Sequence, residues 1–410
     1  MGGNLAISEF VSLFVRWAHV VAAISWIGSS FYFMWLDASL KRRAAMPKGV
    51  KGENWTVHGG GFYHTQKYMV APASMPDDLH WFKWESYATW LSGAVLLAVV
   101  YYWNASLYLL DPQKATLLPW QGIVLSAGGL VAGWLVYDGL CRSPLAKRPL
   151  VLFGVLFALI TLTAYLYGLV FSGRAAFIQT GAMIATAMTG NVFLVIIPNQ
   201  KVVVADLKAG RTPDARYGEI AKLRSTHNNY LTLPVIFLML SNHAPSTYGN
   251  ANAWAIVAIA LILGAVVRHW FNTYETGAGG AKLVWQWPTA VGLALAMMVF
   301  ASVPGRMAPI DLAVAASRAP DETGAFNLAL EPLAFEIVTE RCASCHATAP
   351  TFPAFSAPPG GVAFDTPQMM RRHAQAIIAQ SVDTHVMPLG NITNMTQDER
   401  AVLAAWVARQ

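Results

Sequence analysis

Residues 149–171 read PLVLFGVLFALITLTAYLYGLVF, a run without one charged side chain. About 20 apolar residues in a helix match the ~30 Å hydrocarbon core of a bilayer. In lipid each backbone N–H and C=O must pair within its own segment, so the run is read as a spanning helix. Working outward, comparable stretches lie near 10–36, 86–103, 118–138, 176–197, 227–243, 252–271 and 284–303. The predicted fold class is therefore all-α, with an eight-helix transmembrane bundle over residues 1–303.

Composition agrees. Of the 410 residues 55% are hydrophobic and 12% charged, against roughly 25% charged in soluble domains. Mean hydropathy is +0.42. Fifteen Trp and fourteen Tyr suit the aromatic belts of membrane boundaries. A net charge of +6 raises nucleic acid as a partner, but the Lys and Arg lie in loops between apolar runs, so that class is set aside. The loops 37–85, 139–148, 198–225 and 272–283 carry 17 Lys and Arg; the N-terminus and the loops on the opposite side carry 2. The positive-inside bias puts the first set in the cytoplasm. The expected location is a bacterial inner membrane, crossed several times, with the N-terminus and everything after residue 303 periplasmic. Residues 1–36 read as a retained span, because the apolar run is long and includes Arg16 and His19.

After an Ala- and Pro-rich linker at 304–324, residues 325–410 fall to the hydropathy of a small soluble domain. It contains ERCASCHATAP at 340–350. C-x-x-C-H is a c-type haem attachment signal, two thiols for the vinyl groups and a histidine for the iron. A preceding helix, a downstream Met-Pro pair and a final helix capped by Thr396 and Glu399 are the order of a class I cytochrome c. Cys342 and Cys345 are the expected attachment points, and His346 and Met387 the axial ligands of a covalent haem c. His385 and Met395 are rivals for the sixth position, and His373 reads as a solvated surface residue. Cys141, the third of three cysteines, leaves no disulfide framework.

Ionisable groups at membrane depth are costly and are functional candidates by default. In the first span Arg16, His19, Ala23, Trp26 and Ser30 share one helical face, expected to look into the bundle; an interhelical histidine with a snorkelling arginine is the bland alternative. The sixth span opens with His227, Asn228, Asn229 and Tyr230, followed by Pro234, whose missing N–H frees a carbonyl. Four mixed donors and acceptors suit a flat polar ligand. Arg268 and His269 lie near the same face, and Gly277, Gly279 and Gly280 read as a turn. The loop 37–85 holds His58, His64, His80, Lys67 and Lys83 among aromatics; a loop of that length without its own core is usually functional. No pair has zinc-site spacing.

Taken together, RWAHVVAAISWIGSSFYF (16–33), HGGGFYHTQKY (58–68), MPDDLHWFKWESYATWLSG (75–93), STHNNYLTLPVIFLMLSNH (225–243) and the C-x-x-C-H with VMPLGN (386–391) resemble the bacterial membrane-bound cytochrome c urate oxidases, or urate hydroxylases. Leu389 departs from the proline expected there. The first span also resembles haem-binding and copper-handling proteins of the CopD and protoporphyrinogen-oxidase type, which makes His19, beside Arg16, a candidate ligand of a haem b. His243 or His80 is its candidate partner. The resemblance implies oxidation of urate to 5-hydroxyisourate, with electrons passed to the attached haem c and on to a respiratory acceptor, a cytochrome c or terminal oxidase. The expected urate site draws on His227, Asn228, Asn229, Tyr230, Arg268, His269, His64 and His80, with Trp81 and Lys83 nearby. Urate, membrane lipid and the respiratory acceptor are the expected partners; oligomeric assembly is left open. A cytoplasmic urate site and a periplasmic haem c lie too far apart for one tunnelling step, which is why a haem b is expected between them. The competing readings are a membrane haem protein fed by quinol and a copper-handling module tethered to a cytochrome.

Overall fold

The computed structural model describes residues 2–44, 46–72, 75–112, 114–250, 252–274, 285–302, 326–355 and 357–409. The expected linker 304–324 and the glycines at 277, 279 and 280 lie outside these.

Each predicted span is helical. Helix α1 runs Gly2–Ser39, α2 Trp84–Leu97, α3 Pro119–Arg142, α4 Pro149–Val170 and α5 Gly173–Gly190. A π-helical turn, Asn191–Ile196, joins α5 to α6, Ile197–Lys208. Then come α7 Ala215–Leu240, the short α8 Pro245–Tyr248, α9 Ala253–Tyr274 and α10 Gln286–Ser302. Among the described residues five helical stretches are long and apolar enough to cross a membrane: Phe10–Ser39, Pro119–Arg142, Pro149–Val170, Gly173–Lys208 and Ala253–Tyr274. The other three predicted spans differ for identifiable reasons. α2 stops at 14 residues before a π-helical turn, α10 has 17 residues, and the first half of α7 is polar.

Two thirds of the apolar window of the α5–α6 stretch is buried, 67%, against 11–33% for α3, α4 and α9. That stretch is therefore the axis around which the others pack. Its Phe177, Met183, Ile184 and Met188 join Ile160 of α4, Leu238 of α7, Ile256 and Leu261 of α9 and Met297 of α10 in one apolar core. The outward faces stay apolar, with Leu135, Leu150, Val291 and Val299 exposed. Such a surface belongs in lipid, where it costs nothing. Pro234 interrupts α7, and Gly264 of α9 lies flush against it: a Cβ at 264 would sit 2.8 Å from Pro234 Cγ. The small residue lets two backbones approach where lipid gives no hydrophobic drive.

The loop 37–85 corrects the all-α expectation. Val50–His58 (β1) and Gly61–Tyr68 (β2) pair as an antiparallel hairpin. Gly59 and Gly60 form its two-residue turn with φ of +58° and +77°, the double positive φ that such turns require. The hairpin is bound to the end of α1 by an isolated Lys41–Glu53 bridge and by Lys67 Nζ donating to Asp37 at 2.6 Å.

Residues beyond 325 form a separate apolar core. Helix α11, Phe326–Arg341, packs on α14, Gln397–Val407, with short α12, Pro367–Arg372, and α13, Ala374–Ile377, beside them. Leu330, Val338, Met370, Met395, Leu403 and Trp406 fill the interior. Thr396 caps α14 and Glu399 closes the reciprocal bond to its backbone, as its sequence predicts. His373 is half-buried at the edge of Phe364, 6.1 Å between rings, rather than a freely solvated residue.

Candidate functional site

Successive residues of an α-helix point about 100° apart, and this divides the run His227–Tyr230 of α7 among three neighbours. Towards α3 and α5 a buried chain of hydrogen bonds forms. Arg224 donates to Asp138 Oδ1 at 2.6 Å and to Asn191 Oδ1 at 3.2 Å. Because a guanidinium only donates, Asn191 must present its oxygen there and its amide elsewhere. That amide donates to Tyr137 Oη and to Asn228 Oδ1, each at 2.8 Å. Asn228 in turn donates to the Met188 carbonyl at 2.9 Å. With its oxygen already accepting from Asn191, the Tyr137 hydroxyl donates to His227 Nδ1, 2.9 Å away. Cys141 Sγ lies 3.7 Å from the same nitrogen. The chain runs from a buried ion pair to one imidazole and leaves His227 with Nε2 uncommitted among these bonds.

Asn229 faces the other way, towards α9. Arg268 Nε donates to Asn229 Oδ1 at 3.0 Å, and Asn272 Nδ2 donates to the same oxygen at 2.8 Å. Asn229 is fully buried, yet its Nδ2 has no partner. The Arg268 guanidinium, 6% exposed, lies 3.8 Å from the centre of the Phe31 ring of α1. Among the described residues no carboxylate pairs with it. A buried cation, an orphaned amide donor and a ring face thus meet at one place. Tyr230 takes the third direction, its hydroxyl 2.8 Å from His269 Nδ1.

The expectation that His227, Asn228, Asn229 and Tyr230 line a single pocket is thereby corrected. His64 and His80 are corrected as well. His64 stacks on Trp55 at 4.1 Å and bonds Glu53 at 2.8 Å within the hairpin; the bond holds the Glu53 carboxyl below its ordinary pKa. His80 is exposed, edge-on to Phe82. Trp81 is half-buried, and Lys83 sits over Trp84 at 5.6 Å. Sequence reading passed over Asn191, Tyr137, Asp138, Arg224, Asn272 and Phe31. It also missed Gln179 of α5, fully buried with both amide atoms unpaired. A lone Gln inside a spanning helix was the available signal.

On α1, His19 Nδ1 lies 3.1 Å from both the Thr89 carbonyl and Ser92 Oγ of α2. Gly93 makes room for the ring: a Cβ there would meet His19 Cε1 at 2.9 Å. An Nδ1–H bonded to a carbonyl leaves Nε2 as the basic nitrogen, the arrangement of a ligating imidazole. Arg16 is exposed rather than turned into the bundle, its long side chain free to reach towards polar surroundings. His243 is exposed in the turn after α7, and no described contact brings it or His80 to His19.

In the C-terminal core, Cys342 and Cys345 follow directly on α11. His346 Nδ1 donates to the Val362 carbonyl at 2.9 Å, again leaving Nε2 free. Met387 is half-buried, its N–H on Gln380 and its carbonyl accepting from Arg400 at 2.9 Å. Arg400, 1% exposed, also donates to the Ser381 carbonyl. Arg400 Nε and Trp406 Nε1 are buried without partners. Two thiols three residues apart, an anchored imidazole and orphaned interior donors fit a covalently held haem. Met395 is packed in the apolar core against which Cys342 also lies.

A family model described as urate oxidase N-terminal matches residues 5–302. No curated protein and no solved structure matches the chain.

Proposed function

The chain belongs to the urate oxidase N-terminal family, and from that premise we propose that it oxidises urate within an eight-span bundle and delivers the electrons to a covalent haem c held by residues 325–410. The reaction is written as urate and water giving 5-hydroxyisourate, two protons and two electrons. Haem c, when bound, accepts single electrons and passes them to a respiratory carrier. Cys342, Cys345, His346 and Met387 would hold it, and His19 would hold a haem b.

The observation that carries the substrate reading is the Arg268 site. An arginine buried with no carboxylate among the described residues is an unbalanced charge of several kcal/mol unless an anion joins it. Urate is a planar anion with several acceptors. Arg268 would supply charge-assisted bonds, Asn229 Nδ2 a further donor and Phe31 an apolar ring face. His227, whose Nδ1 is engaged by Tyr137, stands on the opposite face of α7 and is no part of this site.

The test is anaerobic addition of urate to the oxidised, haem-loaded chain while the c-type band is followed. Reduction in the wild type and its loss in Arg268→Gln supports this reading. Undiminished reduction in that variant removes Arg268 from the site, and no reduction in the wild type overturns urate oxidation itself. Counting haems per chain separates the relay: one haem only would remove His19 from it.

A further inference from the structure

Where α4 ends and α9 begins, a cavity of about 420 Å³ lies between the bundle and the segment carrying Met387. Its two halves differ in chemistry. Tyr165, Leu169 and Trp254 form one side and are 45%, 50% and 39% exposed. They open it towards the apolar outer surface of the bundle, and Tyr165 meets Trp254 edge-on at 6.4 Å. Such aromatics mark the headgroup level of a bilayer. The other side holds Arg174, Tyr248 and Lys114. Tyr248 is 3% exposed, yet its hydroxyl has no hydrogen-bond partner. Arg174 lies over that ring at 5.9 Å, and its Nε is likewise buried and unpartnered.

A buried hydroxyl and a guanidinium N–H left without acceptors cost free energy until something accepts from them. The missing acceptor must be anionic, because a neutral carbonyl would leave the guanidinium uncompensated. It must also carry an apolar body to cover the Tyr165–Leu169–Trp254 side. Of the carboxylates that line the cavity, Asp111 lies 3.9 Å from Lys114 and Asp383 stands on the exposed rim. The volume is in the range of small-ligand sites.

We propose that this cavity binds one anionic phospholipid, its phosphate beside Arg174 and Tyr248 and its upper acyl chain along Leu169 and Trp254, so that a lipid seals the C-terminal unit against the bundle. The site is distinct from Arg268 and does not depend on what the bundle oxidises.

The experiment is native mass spectrometry of the full detergent-solubilised chain with added phosphatidylglycerol. One lipid should be retained by the wild type. Arg174→Gln and Tyr248→Phe should each weaken retention about tenfold, the loss of a charge-assisted or buried hydrogen bond. Leu169→Trp, which narrows the apolar side without touching a polar group, should weaken it too and guards against misfolding of the first two. Equal retention in all four proteins would overturn the proposal. Displacement of the lipid by millimolar inorganic phosphate would overturn it as well, because a headgroup-only site needs no acyl chain.

Discussion

Four adjacent residues of α7 end in three different places, and the reason is helical phase alone. His227 and Asn228 are tied to Asn191 and Tyr137, Asn229 to Arg268, Tyr230 to His269. Substitutions should therefore separate. Arg268→Gln is expected to abolish urate-dependent haem reduction with the visible spectrum of haem c intact, whereas His227→Ala, on the opposite face of α7, is expected to retain it, checked by anaerobic titration. Asn191→Leu strands the Arg224 donor and the Tyr137 and Asn228 acceptors in a buried site, and should destabilise the bundle by about 2–4 kcal/mol, read from its thermal unfolding. In the C-terminal core Arg400 plays a similar part. Replacing it with Leu leaves the carbonyls of Ser381 and Met387 without donors. The expected cost is about 3 kcal/mol, with loss of the Met-ligated ferric haem spectrum; Arg400→Lys should retain part of both.

At the scale of elements, close approach depends on small residues at named positions. Gly93 lies against the His19 imidazole, so Gly93→Val should push the ring off its Thr89 bond. The expected result is a lowered yield of b-type haem with the c-type band unchanged, measured by haem extraction. Helices α11 and α14 are tied by Arg341 and Glu399, 2.8 Å apart. Burial raises the Glu399 pKa, but bonds from Arg341 and Thr396 outweigh it and hold the carboxyl below its ordinary value of 4.5. The ionised form is thus favoured by folding. Its contribution is present above about pH 4.5 and is lost as pH falls through the depressed value. Glu399→Gln should flatten that part of the acid-unfolding curve and lower stability at neutral pH. The hairpin β1–β2 was legible too, since two glycines between extended segments signal a tight turn.

For the whole molecule the question is how the C-terminal unit meets the bundle. Gly390 packs 3.1 Å from the Ser106 carbonyl, measured from where its Cβ would be, and Gly249 against Thr384. Val386 joins the apolar core of the bundle. Met387 is thereby held close to the membrane part, which shortens any electron path into it. Gly249→Val should loosen this contact and slow urate-dependent reduction of haem c without changing its spectrum, in stopped-flow measurements.

Hydropathy alone determined that this chain is helical and suited to a bilayer, because the length and apolarity of a span are local properties that lipid imposes on each segment separately. The C-x-x-C-H signal and the capped last helix were legible for the same reason: their chemistry lies within a few residues of chain. What tertiary structure decided is partnership. That Arg268 finds no carboxylate among the described residues, that Asn191 links Arg224 to His227, and that Gln179 and Tyr248 are buried without partners are facts about residues far apart in sequence. Buried polar atoms are satisfied, or left wanting, only by what the fold brings beside them.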